Sequence, residues 1–520
     1  MPPIRRKTLA RRLATGCCPW ALGVLSWPVH AQIADAPRGE PQDNVYDQAT
    51  ANPKQDHWAS KVLQGVKRAI EREPVTATQN GLGTLQTESL AAWPRLYRGA
   101  DLLVTGSLTG TMGLFKMWNN SFGLPPSLHY PGYKTDPGWG EFFLEPGLAA
   151  TYALNAATSI YGGISYLESG TRGRDYDGND NLWYGNREQL YAGVKWRSTV
   201  SGLALDVSYG QQDFTVGNGM LVWSGASNGA QRGANYLGPR AAWANAGVVK
   251  TAWRDLALQG FYLKPNDAPA EATGTRLAGI NAEWNGSGPL RVGGMYVYVP
   301  ESDIATRDGL NVYNLRARWH PFKSTPHFWL EGEYAWERKP NVAAAGWYAQ
   351  ANYNALDVAW KPLFALRYAS LSGDRPGTSK WEGFDPLYFG NSDPNWYQGK
   401  IGSTLFNNTN LNVASATLTL APTANQIVDL YYLYFAAGEA DAPLDIPAAG
   451  KPVVTGGGVP SKPLANEFDV AYTYTFNKNL NVNVIGAVAA PGSGYRQLYA
   501  ANGGSASVWW FIGSQFNISY

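Results

Sequence analysis

The 520-residue chain sets 42 Lys and Arg against 40 Asp and Glu and carries 21 Trp, 30 Tyr, 17 Phe and 58 Gly, yet its mean hydropathy is only −0.29. That average excludes a bundle of membrane helices, each of which needs about 20 apolar residues in a row. The near-neutral charge, with no basic tail or patch, excludes nucleic acid as a partner.

In chain order, the first element is a secretory leader over residues 1–31. Arg5, Arg6, Lys7, Arg11 and Arg12 make its basic start, an apolar stretch runs from Leu13 to Val29, and Val29-His30-Ala31 offers a small-residue cleavage site. A first membrane helix is the weaker reading, because the segment is short and holds Pro19 and Pro28. Leu-Ala-Thr-Gly-Cys17 is similar to a lipoprotein box, but Arg11 and Arg12 leave no apolar run before it, so lipidation is rejected. Both cysteines, Cys17 and Cys18, fall in the leader, and the mature chain then needs no disulfide or thiol chemistry. Without the leader's five cations, 37 basic residues remain against 40 acidic ones.

Residues 32–95 are polar and read as a periplasmic segment. Trp58, Val62, Leu63, Val66 and Ile70 recur there at helical spacing, and Pro74 closes the stretch. This predicts one short amphipathic helix, either a docking element, or a plug or contact for periplasmic export components.

From about Leu102 onward the period is two. Leu190, Ala192, Val194 and Trp196 alternate with Gln189, Tyr191, Gly193, Lys195 and Arg197; Leu203, Leu205, Val207 and Tyr209 alternate with Ala204, Asp206 and Ser208. Tyr313, Leu315, Ala317 and Trp319 alternate with Arg316, Arg318 and His320, and Phe328, Leu330, Tyr334 and Trp336 with Glu331, Glu333 and Glu337. Phe468, Val470, Tyr472 and Tyr474 alternate with Glu467 and Asp469. The final segment puts Val508, Trp510, Ile512, Phe516, Ile518 and Tyr520 on one face and Gly513, Gln515, Asn517 and Ser519 on the other. It stops on an aromatic residue with nothing left to cover the apolar face, which lipid would do.

Short links near 155–158, 198–201, 286–288 and 477–479 alternate with long ones near 119–140, 170–186, 211–240, 372–410, 438–465 and 491–505, with one brief link, Lys339–Val342, on the long side. Together these observations predict an all-β, antiparallel transmembrane barrel of about eighteen strands over residues 96–520, seated in the outer membrane of a Gram-negative cell. A soluble sandwich would have shorter strands, and a propeller or β-helix would show a fixed repeat.

Two loops sharpen this. One reads Tyr209-Gly-Gln211-Gln212-Asp213-Phe-Thr-Val-Gly-Asn-Gly-Met-Leu221; the other reads Ser372-Gly-Asp374-Arg375-Pro-Gly-Thr-Ser-Lys380 and then Phe384-Asp385-Pro-Leu387. In these the chain resembles the alginate-export family of outer-membrane porins. The resemblance covers the barrel from about Tyr97 and implies an eighteen-stranded barrel whose charged pore passes acidic polysaccharide outward. Gln211 stands where the family commonly has arginine.

The inward parity places Lys195, Arg197, Asp206, Arg316, Arg318, Glu331, Glu333 and Arg367 toward a pore, where fixed charge offsets the water a polyanion loses. Adjacent strands of opposite sign also predict pairing of Arg316 and Arg318 with Glu331, Glu333 and Glu337. Gln211, Gln212 and Asp213 in the first loop, and Asp374, Arg375, Lys380 and Asp385 in the second, are candidates for a constriction. No Ser-His pair with a third group is visible among five histidines, so an enzyme is not expected, and no cofactor or metal is assigned. His320 and His327 read as aromatic-girdle residues beside a turn. The partners expected are outer-membrane lipid and lipopolysaccharide and a polysaccharide or oligosaccharide substrate. The expected activity is passive export of a secreted anionic polysaccharide, with uptake of small polar solutes as the alternative, and a lumen-blocked structural or adhesive barrel as the rival from another class.

Overall fold

A computed structural model describes residues 94–520 apart from 199, 228–231, 287, 326, 391–395 and 446–457. The leader, His57 and the helix expected over residues 58–70 lie outside the described residues.

A four-residue strand, β1 (Arg95–Arg98), precedes the barrel. The wall then runs β2 (Leu102–Trp118), β3 (Gly138–Ala153), β4 (Thr158–Arg172), β5 (Trp183–Arg197), β6 (Ala204–Gln212), β7 (Trp243–Trp253), β8 (Leu256–Lys264), β9 (Arg276–Trp284) and β10 (Leu290–Glu301). It continues through β11 (Asn311–Trp319), β12 (Phe328–Lys339), β13 (Val342–Asn354), β14 (Leu363–Leu371), β15 (Leu411–Thr423), β16 (Gln426–Ala437), β17 (Pro463–Asn477), β18 (Leu480–Pro491) and β19 (Trp509–Ser519). Each strand pairs antiparallel with its sequence neighbour, and β19 returns to β2 from Trp510↔Trp118 to Ser519↔Thr109. Eighteen strands therefore close on themselves. Closure satisfies the backbone along the whole ladder, the condition for a sheet to sit in hydrocarbon.

The period of two gives the wall its two faces. Leu114, Ile280, Leu315 and Leu366 lie on the outer face with more than half of their surface uncovered, while Asn281, Asn314 and Gln515 lie inward and are buried. Only a non-aqueous medium makes so many exposed large apolar side chains favourable. No helix among the described residues is long and apolar enough to cross a membrane. The strands that do the crossing run from nine to seventeen residues, and β2 to β5 are longer than the ten or so expected from the sequence.

At one end the links are short, such as 254–255, 424–425 and 478–479. At the other lie nine loops, here L1 (119–137), L2 (173–182), L3 (213–242), L4 (265–275), L5 (302–310), L6 (340–341), L7 (372–410), L8 (438–462) and L9 (492–508). L4 and L5 were not distinguished in the sequence, and L6 is the brief exception noted there. On the short-turn side β2 outruns β19. Leu108 and Tyr520 exchange backbone hydrogen bonds, and below them β1 takes over the edge, with Arg95↔Thr105, Tyr97↔Val104 and a Gly106 N–H donated to Pro94 O at 2.9 Å.

The two-faced wall gives a quantitative expectation. Ile280→Arg, in the middle of β9, should destabilise the folded barrel in lipid by about 2–4 kcal/mol, as a cation in the bilayer interior does. Urea unfolding in lipid vesicles, followed by tryptophan fluorescence, would show it.

Candidate lumenal constriction

L3 and L7 leave the wall eight strands apart in an eighteen-strand ring, so they descend from nearly opposite sides. They meet inside. Val222 and Tyr388 form a parallel bridge; Tyr388 N–H donates to Leu221 O at 3.0 Å, Trp223 N–H to Tyr388 O at 2.8 Å, and Gly390 N–H to Gly219 O at 2.8 Å. The Trp223 indole lies against two glycines, one from each loop. A Cβ at Gly219 would sit 2.2 Å from the ring, and one at Gly390 2.7 Å. Gly219 also has φ +84°, which other residues rarely adopt. This two-loop clasp has an apolar skin of Met220, Leu221, Val222, Phe384, Leu387 and Tyr388, all buried.

Carboxylates of the wall hold the loops by their backbone. Glu141 of β3 accepts the N–H groups of Tyr236 (3.1 Å) and Leu237 (2.8 Å) and the Trp139 indole N–H. Glu188 of β5 accepts those of Ala241 and Ala242, both at 2.9 Å, and pairs with Arg240 at 3.3 Å. Four strands round the ring from β3, Glu467 of β17 accepts Ile401 and Gly402 N–H at 2.7 Å each, where the single helical turn α1 (Gly402–Leu405) begins. Asp469 accepts Lys400 N–H at 2.9 Å and the Tyr397 hydroxyl. Burial, then the Asp469 charge, pushes the Tyr397 phenol well above its ordinary value and keeps it a donor. Glu337 of β12 accepts Asp385 N–H at 2.9 Å, and Asp385 in turn makes a two-pronged pair with Arg307 of L5 at 2.6 and 2.7 Å. Burial alone would lower the Arg307 guanidinium, but the adjacent Asp385 charge holds it above its ordinary value.

Most of the candidate pore residues are held in specific pairs. Lys195 and Asp206 stand opposite on β5 and β6, the Tyr161 hydroxyl donates to Asp206 at 2.5 Å, and the Lys195 ammonium lies 5.3 Å from the Tyr161 ring centre. Tyr161 reaches Asp206 by lying over Gly193 of the strand between them. Arg197 is exposed at the foot of β5. Arg318 pairs with Glu331 directly opposite at 2.8 Å. Arg316 does not take Glu333, its own opposite residue. It passes over Gly293 to Glu283 on β9 at 3.1 Å, while Glu333 accepts the Asn314 amide at 2.7 Å. L3 rests on Arg316 at Gly217, where a Cβ would lie 2.9 Å from the arginine side chain. Arg367 donates to Tyr397 O of L7 and stacks on Trp396 at 4.9 Å. Glu337, expected to face a base, instead holds the L7 backbone.

The candidate constriction residues divide. Gln211 and Gln212 are buried at the head of β6, bonded to Arg187 and to Ala246 O, and Asp213 accepts the Gln189 amide at 3.0 Å. Asp385 is inside the lumen. Asp374 accepts Glu382 N–H, Arg375 pairs with Glu382 at 2.6 Å, and Lys380 is exposed, so this hairpin stays at the rim and does not join the clasp. Of the docking residues, the sequence reading missed Glu141 and Glu188. Glu141 sits in a strand that starts three residues earlier than the link suggested. Glu188 has the parity of outward Leu190, but a bulge lets Arg187 pair with Tyr166 and Gln189 with Ser165, which turns Glu188 inward.

The sequence pattern of the family described as alginate export matches residues 184–508, more than half of the chain. The chain belongs to this family. It is an outer-membrane channel protein. Among solved structures, OprD from Pseudomonas aeruginosa is similar at 11% identity over 80% of this chain and 93% of its own, with a TM-score of 0.49. OccAB2 from Acinetobacter baumannii gives 12%, 80%, 98% and 0.48, and the Salmonella typhi OmpF complex with daunomycin gives 12%, 82%, 100% and 0.40. No curated protein matches the chain.

The docking geometry makes the clasp separable from the wall. Glu467→Ala removes the acceptor of two L7 amides, each bond of this charged type contributing about 1.5–3 kcal/mol. Single-channel conductance should rise and protease cleavage within 396–406 should appear, with the β-sheet circular dichroism unchanged.

Proposed function

We propose that the channel passes a secreted, anionic polysaccharide outward, and that the leader of residues 1–31 is removed on the way to the outer membrane. One observation supports the anionic substrate. Six lumenal carboxylates, those of Glu141, Glu188, Glu337, Asp385, Glu467 and Asp469, are buried to 3% exposure or less against loop amides or Arg307. Lys195, Arg197, Arg318 and Arg367 keep part of their surface uncovered. A solute in the lumen therefore meets more positive charge than the composition suggests. Lys195, Arg318 and Arg367 are held in place by Tyr161, Glu331 and Trp396, which leaves them attractive to a uronate without being free to wrap around it. Weak, fixed sites of this kind favour passage over retention.

Ion selectivity tests the reading. In a planar bilayer under a salt gradient, the wild-type channel should prefer chloride over potassium. Lys195→Gln, Arg197→Gln and Arg318→Gln together should move the reversal potential toward the cation-selective side, and a short polyuronate should block the wild type more than the triple variant. Cation selectivity in the wild type would reject an anionic substrate. Direction is tested in the cell: loss of the gene should trap polymer inside the envelope for an exporter, and should instead slow growth on an external sugar for an uptake porin.

A further inference from the structure

The outer face of the barrel carries a second organised feature, on β8 to β12 near the long-loop rim. Tyr262, Tyr298 and Tyr313 are exposed there, and Tyr296, Tyr313 and Trp336 form a continuous aromatic row with ring centres 5.2 and 5.5 Å apart. Such rings settle where hydrocarbon gives way to headgroups. One outward step beyond the rings, the side chains become basic. Lys264 follows Tyr262 by two residues on β8, Arg338 follows Trp336 by two on β12, and Arg276 precedes Ala278, the residue opposite Tyr262, by two on β9. All three belong to the lipid-facing parity.

Lys264 and Arg276 stand opposite one another, one residue past the last ladder pair, Leu263↔Leu277. Like charges directly opposite on neighbouring strands repel and destabilise a sheet. Glu301 of β10 relieves part of this, pairing with Arg276 at 2.6 Å. Asn245, opposite Lys264 on β7, is neutral. The patch thus keeps a net positive charge and an amide donor at headgroup depth, over an aromatic and aliphatic floor of Tyr262, Tyr298 and Ile280. An amphiphile with phosphate on its head and acyl chains below matches both halves.

We propose that Lys264 and Arg276, with Asn245 beside them, hold a phosphate of a phosphorylated glycolipid in the outer leaflet. This rests on the outer-membrane placement of the barrel, not on its transport role. A phosphate oxygen accepts from the Lys264 ammonium, the Asn245 amide and those guanidinium N–H groups of Arg276 that Glu301 and the Tyr262 hydroxyl leave available, as charge-assisted bonds of the phosphate type. Acyl chains then cover Ile280 and the tyrosine rings.

The test uses the full-length protein in detergent micelles with added lipopolysaccharide. Thermal unfolding is read against matched dephosphorylated lipopolysaccharide and against inorganic phosphate alone. The wild type should gain several degrees with lipopolysaccharide and almost none with the other two. Lys264→Ala/Arg276→Ala should bind about tenfold more weakly, in line with the loss of a charge-assisted contact. Lys462→Ala, a basic rim residue on the far side of the ring, should behave as wild type and serves as the folded control. An unchanged response in the double variant, or an equal loss in the control, overturns the proposal. An equal shift with inorganic phosphate would make it a free-anion site and overturn the lipid assignment. Failure of the wild type to insert into bilayers would instead remove the outer-membrane reading, and this proposal with it.

Discussion

The structure turns on one kind of contact, a carboxylate of the barrel wall accepting backbone N–H groups from a loop folded into the lumen. Glu141 and Glu188 take L3 in this way, and Glu337, Glu467 and Asp469 take L7. Each contact answers two needs together. A carboxylate facing a confined lumen needs donors, because its charge is costly away from bulk water. A loop folded inside a barrel carries N–H groups that no strand satisfies. Meeting both needs at once places the loop to within a hydrogen bond.

These bonds are not what keeps the loops inside. At about 1.5–3 kcal/mol each, they are small against an ordering cost of about 1–2 kcal/mol for every loop residue. The apolar side chains of the clasp supply the attraction, and the carboxylates select the position from which it acts. The clasp itself depends on Gly219 and Gly390, since only a residue without Cβ lets the Trp223 ring lie between the two backbones. The electrostatic consequence follows directly. The acids occupied by loop amides are buried, while Lys195, Arg197, Arg318 and Arg367 stay partly open, and the proposed anionic passage rests on that difference.

The outer surface obeys a different constraint, because the surrounding lipid decides which side chains are favourable at each depth. Apolar residues occupy the middle of the wall, rings stand at its margin and cations lie past the rings. The same alternation of residues therefore yields a channel on one face and a lipid contact on the other.

Much of this was legible in the sequence. Alternation such as Leu203-Ala-Leu205-Asp-Val207-Ser-Tyr209 fixes both the strand and the face each residue occupies, since a strand has a strict period of two. Loop lengths fixed the side of every connection but the brief L6, and Arg318 with Glu331 could be paired from adjacent strands alone. What the alternation could not reach depended on events between distant segments. A bulge at Glu188 reversed one side chain, glycines at 193 and 293 let Tyr161 and Arg316 reach past their neighbours, and the wall acids chose loop amides over facing bases. Local periodicity determines which face a residue takes. Its partner is determined only when loops from opposite walls compete for it inside a closed space, and that competition exists in the folded barrel alone.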